Sequence, residues 1–253
     1  MIEIKELSFS YDDKKTLDKV SLNVEKGKIT TLIGPNGCGK TTLLKCISGI
    51  ERNFDGTVNL DGKNVLSYSL KELALKMSVL AQYRGISSIS VKTFVSHGRF
   101  PHLDISRKMT QEDKQKVSEA LETAGVTHLA DRMIDELSGG ERQRVYIAMT
   151  LAQDTPYVLM DEPTTYLDIS HKIDIMKLME SMKKSGKTML CVLHDLSLAL
   201  HYSDTVAVME NGKIISISSP EQAVRDGVID RVFSVKCIGV DTPCGKEYVF
   251  YKQ

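Results

Sequence analysis

Polar and apolar positions alternate from the start of the chain. Leu7, Phe9 and Tyr11 fall on one side and Ser8 and Ser10 on the other, the period-two pattern of a half-buried strand. Val20-Ser21-Leu22-Asn23-Val24 alternates likewise. Glu25-Lys26-Gly27-Lys28 then turns into Ile29-Thr30-Thr31-Leu32-Ile33, β-branched and apolar enough for a buried strand. Beyond a glycine-rich stretch, Thr42-Leu43-Leu44-Lys45-Cys46-Ile47-Ser48 reads as a helix with Gly49 as its stop. Thr57-Val58-Asn59-Leu60 and Lys63-Asn64-Val65 flank Asp61-Gly62, which suits a two-residue hairpin turn.

The period lengthens between Tyr83 and Ala152. Val117, Ala120, Leu121 and Ala124 recur at helical spacing behind an N-cap at Thr110, and Val145, Ala148, Met149 and Ala152 repeat the pattern. Strands return with the unbroken apolar run Tyr157-Val158-Leu159-Met160. A helix follows with Ile175, Leu178, Met179 and Met182 on one face and Gly186 as its stop. A second buried strand runs from Thr188 to Leu193, and a shorter helix begins near Asp195. Asn211-Gly212 predicts another hairpin, and the tail after Pro220 reads as one short helix and a strand pair. The pattern is an α/β core with antiparallel strands near its start and a helical insertion.

Composition narrows the function classes. The 253 residues hold 33 Lys+Arg and 33 Asp+Glu, a balance with no electrostatic footprint for nucleic acid. No run of 18 apolar residues is present to span a membrane, and the first residues lack the apolar stretch of a signal peptide. Five cysteines without disulfide-like or C-x-x-C spacing suit a reducing compartment. Cys237 and Cys244 lie close together, but no histidine pair accompanies them, so no zinc site is expected there.

The chemistry concentrates at strand ends. Gly34-Pro35-Asn36-Gly37-Cys38-Gly39-Lys40-Thr41 fits G-x-x-x-x-G-K-[ST] between a strand and a helix. Glycines let the backbone wrap an anion and aim N–H groups at it, and the helix start adds positive partial charge. Lys40 then reaches the outer phosphates of a nucleoside triphosphate, and the Thr41 hydroxyl can ligate Mg²⁺. Cys38, beside Lys40, is the candidate reactive thiol.

Asp161-Glu162 closes the buried strand Tyr157-Val158-Leu159-Met160. Side chains diverge along an extended segment, so Asp161 can hold the Mg²⁺ water shell while Glu162 polarises an attacking water. His194 and Gln82 are further strand-end polar groups. Leu137-Ser138-Gly139-Gly140-Glu141 opens a helix with a second anion site, through a hydroxyl and free N–H groups. Two phosphate sites but one phosphate loop imply that two chains pair head-to-tail, each loop covered by the other chain's Ser138 helix.

In this order the motifs resemble those of the ATP-binding cassette (ABC) ATPases. The loop from Gly34 to Thr42, Gln82, Leu137-Ser138-Gly139-Gly140-Glu141, Asp161-Glu162, Asp168 and His194 are similar to that family's Walker A, Q-loop, signature, Walker B, D-loop and switch histidine. Tyr11 matches the aromatic that stacks on adenine. The resemblance implies a P-loop NTPase (RecA-like) core with an antiparallel β subdomain and an inserted α-helical subdomain. The ATPase domain would cover 1–220, with core at about 1–85 and 153–220 and helices at about 86–152; 221–253 would be an extension packed on the core. It also implies ATP and Mg²⁺ as ligands, with Thr41, Gln82 and Asp161 around the metal, and a homodimer of ATPase subunits. Separate membrane permease subunits and, indirectly, a substrate-binding protein would be partners, at the cytoplasmic face of the membrane.

A narrower resemblance, to importers of ferric siderophores, haem and vitamin B12, rests on Ser96-His97-Gly98-Arg99-Phe100-Pro101-His102, Leu151-Ala152-Gln153-Asp154-Thr155-Pro156 and the run from Thr164 to His171. Glu141 stands where many members have glutamine, and Thr41 replaces the commoner serine. The competing class is a soluble cassette ATPase in Fe–S assembly or nucleic-acid work; neutral charge and a single cassette weigh against the latter.

Overall fold

Alternation builds the first elements of the computed structural model, which describes residues 1–12, 14–81, 88–104, 108–243 and 245–252. Strand β1 (Ile2–Tyr11) pairs antiparallel with β2 (Lys14–Val24). Leu7 and Phe9 are buried and Ser10 is exposed as the pattern predicts, whereas Tyr11, at the strand's last position, is 40% exposed. Strand β3 (Ile29–Ile33) is buried at every residue and feeds the glycine loop and helix α1 (Lys40–Ile47). Strands β4 (Asp55–Leu60) and β5 (Lys63–Asn64) form the predicted hairpin. Its turn residues Asp61 and Gly62 both have positive φ, as a turn matched to strand twist requires.

A short helix α2 (Leu70–Ala74) precedes β6 (Met77–Leu80). The helical stretch holds α3 (Val91–Ser96), α4 (Gln111–Thr123) and α5 (Gly139–Ala152); its expected start at 83–87 lies outside the described residues. Thr110 caps α4 in a reciprocal box with Asp113. Strand β7 (Tyr157–Asp161) is buried throughout, and α6 (Ile169–Lys184) ends before Gly186 at φ 87°. After β8 (Thr188–Val192) come α7 (Leu196–Tyr202), capped by Asp195, and the hairpin β9 (Thr205–Glu210) and β10 (Lys213–Ser218).

The single helix expected after Pro220 is in fact two, α8 (Pro220–Arg225) and α9 (Val228–Phe233), because Gly227 adopts φ 66° between them. The last hairpin, β11 (Val235–Thr242) with β12 (Gly245–Lys252), is held to α9 by Asp230. The Asp230 carboxylate accepts from the Cys237 N–H and the Lys236 ammonium, each at 2.8 Å.

The chain divides into two compact units. Met1–Tyr68 and Thr188–Gln253 form the first. Here β1, β2, β4 and β5 make an antiparallel sheet, while β3 lies between β8 and β9 and is parallel to both. Parallel pairing puts the carboxyl ends of β3 and β8 at one edge. The phosphate loop leaves from the first and His194 from the second. Ser69–Lys187 form the second unit. There β6 and β7 pair in parallel, from Met77↔Tyr157 to Leu80↔Met160, and Asp161 lies at the carboxyl end. This combination of elements is the expected α/β P-loop NTPase fold, with antiparallel strands and inserted helices.

The helices of the second unit are cross-linked by a buried ion pair. Arg99 Nε donates to Asp113 Oδ1 at 2.9 Å with both side chains under 8% exposed, and Arg99 also donates to the Ala152 carbonyl at 2.9 Å. Burial pushes the Asp113 carboxyl up, but hydrogen bonds from Thr110 and Arg99 outweigh it and hold the group below its ordinary 3.8. Asp113→Asn should therefore destabilise the fold by about 3 kcal/mol, because it strands a buried guanidinium. The urea midpoint at pH 7 reads this. A carboxyl lowered by folding contributes stability above its unfolded value and loses it as pH falls through the folded one. The parent's advantage over the variant should therefore shrink below about pH 3.8.

Candidate nucleotide-binding site

In the first unit, steric demands explain the phosphate loop's glycines. Gly34 and Gly39 take φ 157° and 104°. A Cβ on Gly34 would meet Cys38 Sγ at 2.8 Å, and one on Gly39 would meet the Thr16 carbonyl at 2.9 Å. Side chains at either position would push the loop off the strands behind it. The Lys40 ammonium is folded into the loop, donating to the carbonyls of Gly34 at 2.8 Å and Pro35 at 2.9 Å. The loop carbonyls thus hold the cation at the turn whose N–H groups would face a phosphate. Asn36, Gly37 and Thr41 are exposed, whereas Thr42 is buried under the helix start.

His194 emerges exposed just beyond β8, and Leu193 N donates to the Leu32 carbonyl at 3.3 Å. This registers the histidine beside the strand that feeds the loop. Tyr11 is not core. Its ring meets Phe9 edge-on at 4.8 Å, and its hydroxyl donates to Glu51 at 3.2 Å.

Cys38 sits inside the loop, its Sγ 3.7 Å from Lys40 Nζ. It is only 5% exposed, so reaction with a maleimide should be slow. Among the described residues the other three cysteines are buried as well, and Cys244 lies outside them. Burial pushes Cys46 up to about 12 and Cys237 up to about 11, and raises Cys191 as well. Alkylation should therefore inhibit ATP hydrolysis through Cys38, bound nucleotide should slow it, and Cys38→Ser should resist. Equal inactivation of that variant would assign the effect to another cysteine.

The second unit holds the candidate carboxylates and the helix start read as a second anion site. Asp161 ends β7 and is 6% exposed. Glu162 follows at φ 54°, a left-handed conformation uncommon for glutamate. Thr165 Oγ1 donates to Glu162 Oε2 at 3.0 Å, and Thr165 N donates to the Glu162 carbonyl at 3.3 Å. The turn thus takes Glu162 out of the extended backbone of the strand that Asp161 ends. Gln82, the remaining strand-end candidate, lies outside the described residues.

Ser138 caps α5 in a capping box: it accepts from Glu141 N at 3.3 Å, while Glu141 Oε2 accepts from Ser138 N at 2.9 Å. The Ser138 hydroxyl and backbone hydrogen bonds hold the Glu141 carboxyl below its ordinary range. Gly139 is exposed and Gly140 buried. Asp168 caps α6, and its Oδ1 accepts from His171 N at 2.9 Å and lies 2.8 Å from His171 Nδ1. Sequence reasoning assigned no role to Thr165 or His171. The Asp-x-x-His spacing at a helix start was the signal available for the latter.

The chain's likeness to known proteins agrees with this geometry. The ABC transporter family profile matches residues 17–165. The ferric enterobactin transport ATP-binding protein FepC of Escherichia coli (strain K12) is 39% identical, covering 94% of this chain and 89% of its own. The iron(3+)-hydroxamate import ATP-binding protein FhuC of Bacillus subtilis (strain 168) is also 39% identical, covering 96% of this chain and 91% of its own. Among solved structures, a nucleotide-free ATP-binding cassette from an ABC transporter superposes with a TM-score of 0.83 at 28% identity, over 92% of this chain and 97% of that one.

Proposed function

The chain belongs to the ABC transporter family, and from that membership we propose that it is the ATPase subunit powering import of an iron–siderophore complex through a separate permease. The likeness to the ferric enterobactin and iron(3+)-hydroxamate ATP-binding proteins, across more than nine tenths of the chain, carries the substrate class. ATP is the nucleotide, and cassettes of importers act as dimers with membrane permeases. No helix among the described residues is long and apolar enough to cross a membrane. The likeness to import ATP-binding proteins supports a place beside a permease at the cytoplasmic face of the membrane. Residues 1–220 are taken as the ATPase domain and 221–253 as its extension.

In the proposed cycle the loop N–H groups and Lys40 hold the phosphates, and Tyr11 stacks on adenine. Thr41 and Asp161 offer hard oxygen donors, the set that suits Mg²⁺, with Gln82 as the further candidate. Bound there, Mg²⁺ would neutralise charge on the phosphate oxygens. Glu162 accepts a proton from water as its oxygen attacks the γ-phosphorus; the β–γ bridging P–O bond breaks, and ADP and phosphate leave. His194 contacts the γ-phosphate, while Ser138, Gly139, Gly140 and Glu141 of the second chain close the site and Asp168 lies at the junction.

Deleting the gene under iron limitation tests the reading. Uptake of at least one labelled ferric siderophore should be lost, and the parent gene should restore it while Lys40→Ala should not. Unchanged uptake of every ferric chelate tested would overturn the siderophore assignment.

A further inference from the structure

We propose that His171 is a positioning residue for ATP hydrolysis, a strut that ties Asp168 to the first turn of the signature helix α5. Three contacts within the second unit carry this. The His171 ring lies against Gly140: a Cβ on that glycine would meet both Cγ and Nε2 of the imidazole at 2.8 Å. Gly140 is helical without positive φ, so the need for glycine there is steric, and the ring imposes it. On its other side the ring's Nδ1 lies 2.8 Å from Asp168 Oδ1, which also accepts the His171 N–H. One side chain therefore touches both the capping carboxylate of α6 and the backbone of the helix start that carries the second anion site.

A second tie makes the pair of helices move together. Arg144, one turn beyond Gly140 on α5, pairs with Asp174, three residues beyond His171 on α6. The two contacts fix both rotation and height of one helix start against the other. The Asp168 carboxyl is held below its ordinary range, first by the His171 backbone N–H and then by the imidazole, so it stays an ionised acceptor near neutral pH. A shift of Asp168 is thereby passed through a rigid ring to Gly140 and the N–H groups beside Ser138. Flat, aromatic and bonded at one end, His171 suits this role better than a flexible chain of equal length.

The inference rests on the paired-chain reading, because the signature turn acts on a nucleotide held by the other chain's loop. Its consequence is selective. Nucleotide affinity of the unpaired chain depends on the phosphate loop and should not change. Turnover and ATP-driven pairing depend on the signature turn and should fall.

The test compares full-length His171→Ala, His171→Asn and His171→Phe with the parent. Asparagine keeps a donor near Nδ1, and phenylalanine keeps the ring. His171→Ala should lower kcat roughly 10- to 100-fold, the scale of a sub-ångström misplacement, with ATP Kd of the unpaired chain within about twofold. At least one of the other variants should regain part of the loss. Where His171→Ala does not fold, that pair carries the comparison, each expected below the parent in kcat at unchanged Kd.

Turnover of the folded alanine variant within about twofold of the parent would overturn the strut, as would a kcat loss matched by an equal loss of ATP affinity. Pairing is read by size-exclusion chromatography with MgATP in a Glu162→Gln background. If Glu162→Gln alone fails to pair, the paired-chain reading fails. If it pairs and adding His171→Ala changes neither pairing nor, in the parent background, turnover, only the strut fails.

Discussion

Glu162→Gln should retain ATP binding and lose at least about 100-fold in hydrolysis, the usual scale for removing a general base. The amide matches the carboxylate in shape and can still accept from Thr165 Oγ1, now 3.0 Å from Glu162 Oε2, so the turn at φ 54° should survive. It cannot take the proton from the attacking water. With hydrolysis blocked, nucleotide that binds the paired form better than the single chain accumulates on it and draws the equilibrium toward pairs. Single-turnover hydrolysis and ATP Kd, measured on the same preparation, check the two halves separately. Turnover near the parent's would remove Glu162 from the mechanism. Loss of binding would instead mean that the glutamine has disturbed the loop.

Legibility of the fold followed the strength of local signals. Strands β3, β7 and β8 announce themselves as short apolar runs because both faces are covered, and their residues are indeed buried at every position. Asp61-Gly62 and Asn211-Gly212 were readable because few residues accept positive φ twice in succession. The tail was harder. Gly227 is one of several polar and small residues after Pro220, and nothing in spacing alone distinguishes a frayed helix from the two short helices that its φ of 66° creates. In helix α5 the stripe was too narrow: Val145, Ala148, Met149 and Ala152 suggest one face, yet Met149 is only half-buried while Tyr146, Ile147 and Thr150 are buried. Tertiary packing covers that helix from several sides, which a stripe count cannot reveal.

At the candidate site, the candidate residues were legible from type and order, and the contacts that hold them were not. Lys40, Asp161, Glu162 and Ser138 stand at strand and helix ends, the positions at which α/β sheets bind ligands. Gly140 could be assigned to anion binding, but its steric reason is a ring 31 positions later in the chain. Thr165 likewise matters through a hydrogen bond to Glu162 that only the turn geometry brings about. Long-range contacts between small groups leave no periodic trace.

Mixing two inactive chains, Ser138→Arg and Lys40→Ala, should restore hydrolysis to about one quarter of the parent's, because in the proposed two-fold pair each site joins one chain's loop to the other's serine. Ser138→Arg keeps its own loop but blocks the anion site at α5. Lys40→Ala keeps Ser138 but loses the ammonium now held by the Gly34 and Pro35 carbonyls. In a mixed pair, one site joins an intact loop to an intact Ser138, and the other joins both defects. Random pairing of equal amounts makes half the pairs mixed, each with one of two working sites. The serine also caps its helix, donating to Glu141 Oε2 at 2.7 Å, so its loss should cost about 1 kcal/mol of stability. Ser138→Arg must therefore bind ATP as a single chain with parent affinity, which separates a blocked site from a misfolded helix. Differently tagged chains report how many mixed pairs form. Recovery without mixed pairs would refute shared sites. Mixed pairs present but inactive would mean that one complete site does not turn over beside a broken one, and the independent-site arithmetic would fall.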